Sequence, residues 1–527
     1  TWLNEHFLSS WGDVKKAVDL FFLGGVNHIF YHGTEYSPKE ASWPGWLFYA
    51  AVHFQPTNPQ WKDFHAFNSY VTRVQSFLQG GRPDNDVLLY YPIVDRYSQP
   101  GNNLLQHFDG MERNFEHTDF EHVSKAMLEK GYGFDFFSER QLRNFRSSGK
   151  NIITGGNTYK TILLPANKLI NEQSFHQLVQ LARQGASILV YKQLPEGVPG
   201  WGQYEKRQAA FQQLVAQLKF EQANGVRRAR IGKGAFYVGE DLDALLTAAG
   251  VQKENWTDKG LSVLRRKNDK GKIYFINNRT SSPVREWIRL PGLPASVGLF
   301  DAMTGRYGLA KHRKSASGNT EILVELQSFE SVIIQTYATT QPGKEFQYLE
   351  GRGNPIEITG NWNIRFIDGG PSLPNTVNTM QLGSWTALDG DAVKNFSGTA
   401  VYTINFEKPP ANTGGWILDL GKVNETAEVI LNGKKMATLV GPVYRTWIAP
   451  QDMQANNKLE VIVSNLMANR IAYMDRNNMP WKIFYNINMQ ARKRENLKDG
   501  IFSAAEWAPL PSGLSGPVKL LPVAGVN

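Results

Sequence analysis

Polar and aromatic side chains follow closely on one apolar run near the start of the chain, at residues 26–31. Hydrogen-bonding groups and aromatic faces at the carboxyl end of a strand are what a sugar pocket in a barrel enzyme requires. The pattern therefore predicts a short buried strand that leads into a carbohydrate site. The candidate contact residues are Asn27, His28, His32, Tyr36, Trp43 and Trp46.

Hydrolysis of a glycosidic bond needs two carboxyl groups at a set separation across that bond. Glu5 and Glu35 are the candidates in the first part of the chain, because both lie in predicted loops. Asp13 and Asp19 lie in or beside a predicted helix, where a surface or capping role is expected. For Glu5 and Glu35 a solvated loop carboxylate without a chemical role is the more common alternative.

The two histidines do not fit a shared metal ion. On a strand, the spacing of His28 and His32 puts them on one face but about 13 Å apart. His28 lies early in the apolar run, where a hydrogen-bonded core histidine is the alternative, so His32 is the better sugar contact. Core packing is the alternative for Trp46, and Trp43 is equally suited to line a pocket or to pack.

Composition narrows the class of protein. The 527 residues contain 57 basic and 48 acidic side chains, which gives a net charge of +9. The charges are dispersed, so a solvated surface is favoured over contact with nucleic acid or an acidic glycan. No cysteine is present, which excludes disulfides, thiolate zinc sites and a cysteine nucleophile. No apolar run is long enough for a membrane span.

Changes of hydrophobic period predict four units. Helical patterns over residues 14–22 and 61–78 flank the apolar run and predict the C-terminal part of a (β/α)8-type barrel over residues 1–82. Short apolar strands between helices predict a flavodoxin-like α/β domain over 83–252. Alternating residues predict an antiparallel β-sandwich over 253–340. A second β pattern over 341–527, with a hairpin at Asn432-Gly433, predicts another β-domain.

Several motifs closely resemble glycoside hydrolase family 106, the α-L-rhamnosidases. The likeness runs through the whole chain and is most specific in the first hundred residues, in GVNHIFYHGT (25–34), YSP (36–38), WPGWLFYA (43–50) and RVQSFLQ (73–79), with FFSERQL (136–142) further on. The last unit resembles the galactose-binding-like jelly roll that this family shares with β-galactosidases.

The resemblance implies a bacterial enzyme, exported to the periplasm or beyond the cell, that hydrolyses terminal α-L-rhamnosides of plant or microbial glycans with inversion. It also implies a barrel with a pair of glutamates as general acid and base, often with bound calcium. Family members are roughly twice as long as this chain. The acid is therefore expected upstream of Thr1, with the base there too or at Glu5, and the expected partner is the N-terminal half of the same enzyme. Glu35 occupies a loop position that we expect to vary in the family.

Two alternatives stay open from the sequence. One is a non-catalytic assembly of carbohydrate-binding modules, since the last unit alone could bind a glycan. The other is a β-galactosidase-like glycosidase of related architecture.

Overall fold

A computed structural model of the chain describes residues 4–47, 52–99, 115–223, 225–316, 318–349, 351, 353–410, 414–483 and 491–523. In these ranges no helix is both long and apolar enough to cross a membrane.

Two helices dominate the first unit, α1 (Trp11–Leu23) and α2 (Phe64–Gln79), as the helical patterns predict. A capping box starts α1, because the Ser10 side chain accepts from the backbone of Asp13 and the Asp13 carboxylate accepts from the backbone of Ser10. The apolar faces of both helices are buried on a β-sheet of the third unit, where Phe22 packs on Phe275. A short strand, β1 (Arg82–Pro83), follows α2 and joins the same sheet.

The prediction of a strand over residues 26–31 is wrong. The segment is extended, but none of its residues belongs to a β-ladder. Its backbone is held instead by side chains of α2, so the hydrogen bonds that would define a strand are missing. No strand occurs in the described residues between 4 and 80, so this part of the chain contributes helices alone, and the barrel stays a prediction.

The second unit contains the predicted parallel sheet. Its strands run in the order β3-β2-β7-β8-β11-β10-β9, of which the first five are parallel. Helices α6 and α7 cover one face, and α4 and α8 cover the other. The elements are β2 (Val87–Tyr90), α3 (Ile93–Tyr97), α4 (Asp119–Lys130), β3 (Phe134–Phe137), α5 (Glu139–Leu142), β4 (Arg146–Ser148), β5 (Asn151–Thr154), β6 (Asn157–Tyr159), β7 (Thr161–Leu164), α6 (Glu172–Gln184), β8 (Ser187–Tyr191), α7 (Tyr204–Val215), β9 (Glu221–Ala223), β10 (Val226–Ile231), β11 (Gly234–Gly239) and α8 (Leu242–Ala248).

The third unit has two antiparallel sheets over a common core. The larger has the order β1-β12-β13-β19-β15-β16 and the smaller β14-β18-β17. Both faces of β13 are buried, because α1 and α2 cover the side that faces away from the sandwich core. The strands are β12 (Leu261–Asn268), β13 (Gly271–Asn278), β14 (Val284–Arg289), β15 (Ser296–Phe300), β16 (Tyr307–Leu309), β17 (His312–Lys314), β18 (Thr320–Leu326) and β19 (Ser331–Tyr337).

The last unit is a second antiparallel sandwich, with sheets β22-β21-β23-β29-β26-β27 and β20-β33-β24-β28. The predicted hairpin is confirmed, because Asn432 and Gly433 join β26 to β27 with φ of 53° and 80°. The elements are β20 (Ile356–Glu357), β21 (Trp362–Gly370), β22 (Val377–Thr379), α9 (Asp391–Lys394), β23 (Ser397–Glu407), β24 (Trp416–Asp419), β25 (Lys422–Asn424), β26 (Thr426–Leu431), β27 (Lys434–Leu439), β28 (Arg445–Ile448), β29 (Asn456–Ser464), α10 (Ala468–Arg476), β30 (Leu497–Lys498), β31 (Ile501–Phe502), β32 (Gly513–Gly516) and β33 (Lys519–Pro522).

Polar contacts, one buried and one part-buried, connect this last unit to the others. The Thr426 hydroxyl donates to the Asp63 carboxylate over 2.5 Å at the start of α2. Arg445 donates to the side chain of Gln327 over 2.8 Å, next to β18. The last unit is therefore fixed against the helices that support the candidate site.

Candidate functional site

The segment of residues 27–36 is held on the body of the protein by two glutamines of α2. The Ile29 amide donates to Gln75 Oε1 over 2.5 Å, and Gln79 Nε2 donates to the Asn27 carbonyl over 2.7 Å. Burial alternates along the segment, with Ile29 and Tyr31 packed against the core of α1 and α2. The side chains of the segment therefore alternate between a buried and an exposed face, as in a β-strand, but its backbone does not pair with another strand.

Even-numbered side chains of this segment form an exposed surface, which we call the outer face. The His28 ring stacks on Phe30 with centroids 4.4 Å apart and an angle of 13° between planes. Phe30 and Tyr36 are each 79% exposed, which is unusual for aromatic side chains of this size. The outer face consists of His28, Phe30, His32 and Tyr36. Imidazole and phenol groups beside aromatic rings suit the recognition of sugar hydroxyls.

The loop that carries both tryptophans is tied to the end of the segment. The Trp46 amide donates to the Ser37 hydroxyl over 3.1 Å, and Trp43 Nε1 donates to the Thr57 carbonyl over 3.1 Å. Between the two tryptophans, Gly45 has a φ of 81°, and a Cβ there would collide with Ser37. This close approach keeps Trp46, which is 37% exposed, next to the outer face.

Trp43 meets a residue from the far end of the chain. The guanidinium of Arg470, in α10, lies 4.0 Å from the centre of the Trp43 ring. Trp43 is half-buried, so the indole has both a packing role and a charged neighbour.

Glu5 is buried, and both oxygens of its carboxylate accept hydrogen bonds from neighbouring residues. Oε1 accepts from the His6 amide over 2.9 Å. Oε2 accepts from the amides of Arg492 and Lys493 over 3.1 and 2.9 Å, and from Asn496 Nδ2 over 2.8 Å. With four donors, this carboxylate fastens the start of the described chain to residues 492–496.

Glu35 has the opposite environment. Its two carboxyl oxygens are buried and accept no hydrogen bond from another residue in the described part of the chain. Burial raises the pKa of Glu35 to about 7, against a smaller opposing effect of its own backbone amide. The hydroxyl of Tyr31, on the same strip of chain, is also buried without a partner among the described residues. A carboxyl with a perturbed pKa and free lone pairs is a candidate for proton transfer.

A buried pair of histidines begins at the residue that follows Glu5. His6 and His53 are 0% and 3% exposed, and their ring nitrogens Nδ1 and Nε2 are 3.3 Å apart. Phe7 stacks on His53 with centroids 4.6 Å apart. Burial, and to a lesser extent the neighbouring His6, lowers the pKa of His53 well below its usual range. His53 is therefore a neutral packing residue in the folded state.

Metal ligands are sparse. Within the residues that the structure describes, no group of three His, Cys, Asp or Glu side chains is arranged to hold an ion. The calcium implied by the resemblance therefore stays a prediction.

A family model described as alpha-L-rhamnosidase matches residues 1–313, more than half of the chain. The chain belongs to this glycoside hydrolase family. The fold is similar to that of a rhamnosidase from Novosphingobium sp. PP1Y, with a TM-score of 0.70, 21% identity and coverage of 98% of this chain and 46% of that one. The chain therefore spans about half the length of the rhamnosidase.

Other similarities are shorter or weaker. A protein of Formosa agariphila assigned as a β-glucuronidase is 33% identical over 183 residues, which is 32% of this chain and 15% of that protein. A β-galactosidase of family GH42 from G. stearothermophilus has a TM-score of 0.33 over 52% of this chain and 44% of its own, too low to support an argument.

Three features of the site escape sequence reasoning. The orphaned Tyr31 hydroxyl and the contact of Arg470 with Trp43 depend on tertiary packing, and no local pattern marks them. Gln75 lies in the RVQSFLQ motif that resembles the family. Its contact with the Ile29 amide depends on how α2 packs, which the sequence does not reveal.

Proposed function

We propose that this chain is part of a glycosidase that releases terminal α-L-rhamnose from plant or microbial glycans with inversion of configuration. The observation that carries the proposal is the family match over residues 1–313. The exposed polar and aromatic residues of the outer face lie inside that match and support it.

In this proposal Glu35 is the general base. An inverting enzyme needs one carboxylate to take a proton from water on one side of the sugar and a second carboxyl to protonate the leaving oxygen. A pKa of about 7 makes Glu35 a stronger base than an ordinary carboxylate and leaves it partly ionised at neutral pH. Its two oxygens are buried and accept no hydrogen bond from another described residue, so in this proposal the attacking water enters the site beside them.

Glu5 is a weaker candidate for either role. A base must present a free lone pair to water, and both Glu5 oxygens already accept hydrogen bonds from the protein. We assign Glu5 a positioning role, in which it holds residues 492–496 against the loop that follows His6.

The acid is proposed to come from a further segment of the same polypeptide, which completes the barrel beside the outer face. Export from a bacterial cell and calcium binding are further proposals and rest only on the family resemblance.

The decisive experiment uses the longest polypeptide in which this chain is encoded, with 4-nitrophenyl α-L-rhamnopyranoside as substrate. Replacing Glu35 by Ala should reduce kcat by about 10²–10⁴-fold, the usual contribution of a general base. Azide should then restore turnover and yield a rhamnosyl azide of inverted configuration, because an anion can replace the activated water.

The matched control is Glu40→Ala, since Glu40 is an exposed carboxylate on the same stretch of chain. It should leave kcat unchanged. Unaltered hydrolysis in Glu35→Ala would remove Glu35 from the mechanism. Cleavage of galactosides in place of rhamnosides by the unmodified protein would favour the β-galactosidase-like alternative.

A further inference from the structure

The Arg470 side chain packs against two separate parts of the fold. It lies in the first turn of α10, and its guanidinium is 4.0 Å from the centre of the Trp43 ring. It also lies close to Gly370, where an added Cβ would stand 2.5 Å from Arg470 Cζ. An indole ring and a glycine backbone therefore form a slot for the guanidinium.

This guanidinium lacks the counter-charge that two other partly buried arginines have. Arg265 meets Glu254 over 2.5 Å, and Arg445 meets Asp419 over 2.8 Å. No carboxylate of the described chain forms an ion pair with Arg470, and burial lowers its pKa below the usual value. A cation partly removed from water without an anion is unfavourable.

Neutral acceptors are missing as well. Arg266 also lacks an ion pair, but it donates to the carbonyl of Gly81 over 2.5 Å, and Arg73 donates to the carbonyl of Ala302 over 3.0 Å. Arg470 has no comparable acceptor in the described residues, and its Nε is buried without a partner. The N–H groups of its fork are therefore available to a ligand at the half-exposed end of the side chain.

We propose that Arg470 and Trp43 form a subsite for the carboxylate of a hexuronate residue next to the rhamnose in the glycan. The position of the hexuronate next to a rhamnose rests on the proposed function. The planar fork of a guanidinium matches the two oxygens of a carboxylate. Trp46 follows Trp43 across the Pro-Gly turn, and its exposed indole suits the apolar face of a pyranose ring.

The net charge of +9 does not oppose the approach of an acidic polysaccharide, but it is dispersed over the chain, and the inference rests on Arg470 and Trp43. The subsite combines elements from the two ends of the chain, so the last unit of the fold takes part in substrate selection.

The test is calorimetric titration of the longest polypeptide that contains this chain, carrying Glu35→Ala to prevent turnover, with a rhamnosyl-hexuronate disaccharide and with its methyl ester. The ester keeps the shape of the sugar and removes the negative charge. The free acid should bind at least tenfold more tightly, and Arg470→Gln should abolish that preference. Arg470→Lys keeps the charge but loses the fork, so it should keep only part of the preference.

Two further variants separate recognition from packing. Gly370→Ala leaves the charge in place and displaces the guanidinium, so it should also weaken binding of the acid. Arg476→Gln is the matched control, because it removes an arginine of the same helix that donates to the Trp507 carbonyl and to Asn395. It should leave the preference unchanged.

The outcomes distinguish this inference from the proposed function. Equal binding of the acid and the ester, or a preference that survives Arg470→Gln, would overturn the subsite even if the aryl rhamnoside is cleaved. Tighter binding of a matched sulfate ester than of the uronate would overturn the assignment to a carboxylate. An Arg470-dependent preference without hydrolysis of the aryl rhamnoside would support the subsite and refute the proposed function.

Discussion

Replacing Glu35 by Gln should make the protein more stable at alkaline pH, although the residue belongs to the proposed catalytic site. Burial raises the pKa of Glu35 from 4.5 to about 7 in the folded state. Below pH 4.5 the carboxyl is protonated in both the folded and the unfolded chain. As the pH rises through 7, Glu35 ionises in the folded state, where the charge is poorly solvated. The contribution that the protonated Glu35 makes to the stability of the fold is therefore lost.

The size of the effect follows from the two pKa values. A difference from 4.5 to about 7 corresponds to about 3 kcal/mol of differential stability. Because the Glu35 side chain is only half-buried, solvent screening should reduce this to about 1–2 kcal/mol. Gln has the shape of the protonated acid and no charge, so Glu35→Gln should gain that amount at about pH 8.5 and almost nothing at about pH 4.5.

The assay is urea unfolding of both proteins at the two pH values, followed by tryptophan fluorescence. Glu40→Gln serves as the control, since Glu40 is exposed on the same stretch of chain, and it should show no comparable gain. An equal gain at both pH values would refute the reasoning, because a packing effect of the amide does not depend on pH. A loss of stability at about pH 8.5 would show that the Glu35 carboxylate has favourable partners.

Other substitutions test the supports of the site. Glu5→Ala removes the acceptor of four donors, two buried and two part-buried, and should cost about 3–5 kcal/mol in the free energy of unfolding, with release of residues 492–496 in hydrogen exchange. Because the pKa of His53 is lowered in the folded state, neutral His53 contributes to the free energy of unfolding above pH 6.5, and this contribution is lost as the pH falls below 6.5. His53→Phe should therefore make the free energy of unfolding less dependent on pH in the acid range. Gly45→Ala should lower Tm more than Gly25→Ala, because both glycines have positive φ but only Gly45 is crowded, by Ser37.

The elements with a strong hydrophobic period are predicted well from the sequence. The apolar strands at residues 87–90 and 161–164 are buried on both faces, as expected for a parallel sheet covered by helices. The Asn432-Gly433 hairpin is predictable because its turn needs positive φ at both central positions. Asn and Gly are among the few residue types that accept this conformation. In these cases the local pattern and the tertiary structure favour the same conformation.

The segment at residues 26–31 shows where a local pattern is insufficient. Its apolar residues predict a buried strand, yet a strand exists only where another strand supplies the hydrogen bonds. Gln75 and Gln79 bind this backbone instead, and Phe30 is exposed. Alternation along the chain therefore identifies the side that faces the core but does not identify the partner.

The two candidate carboxylates show the same limit at the site. Glu5 and Glu35 look alike in sequence, as acidic residues in loops rich in aromatic and polar neighbours. Their difference arises from distant residues, since Asn496 and its neighbours bind Glu5, whereas no donor from another described residue reaches Glu35. Burial and hydrogen bonding, not residue type, separate a positioning carboxylate from a candidate base.

The most direct test of the proposed function is the anomeric configuration of the sugar first released from an aryl α-L-rhamnoside by the longest polypeptide that contains this chain, followed by proton NMR. We expect β-L-rhamnose to appear first and the α anomer to follow only by mutarotation. Initial release of α-L-rhamnose, or no release of rhamnose at all, would contradict the assignment of an inverting rhamnosidase with Glu35 as its base.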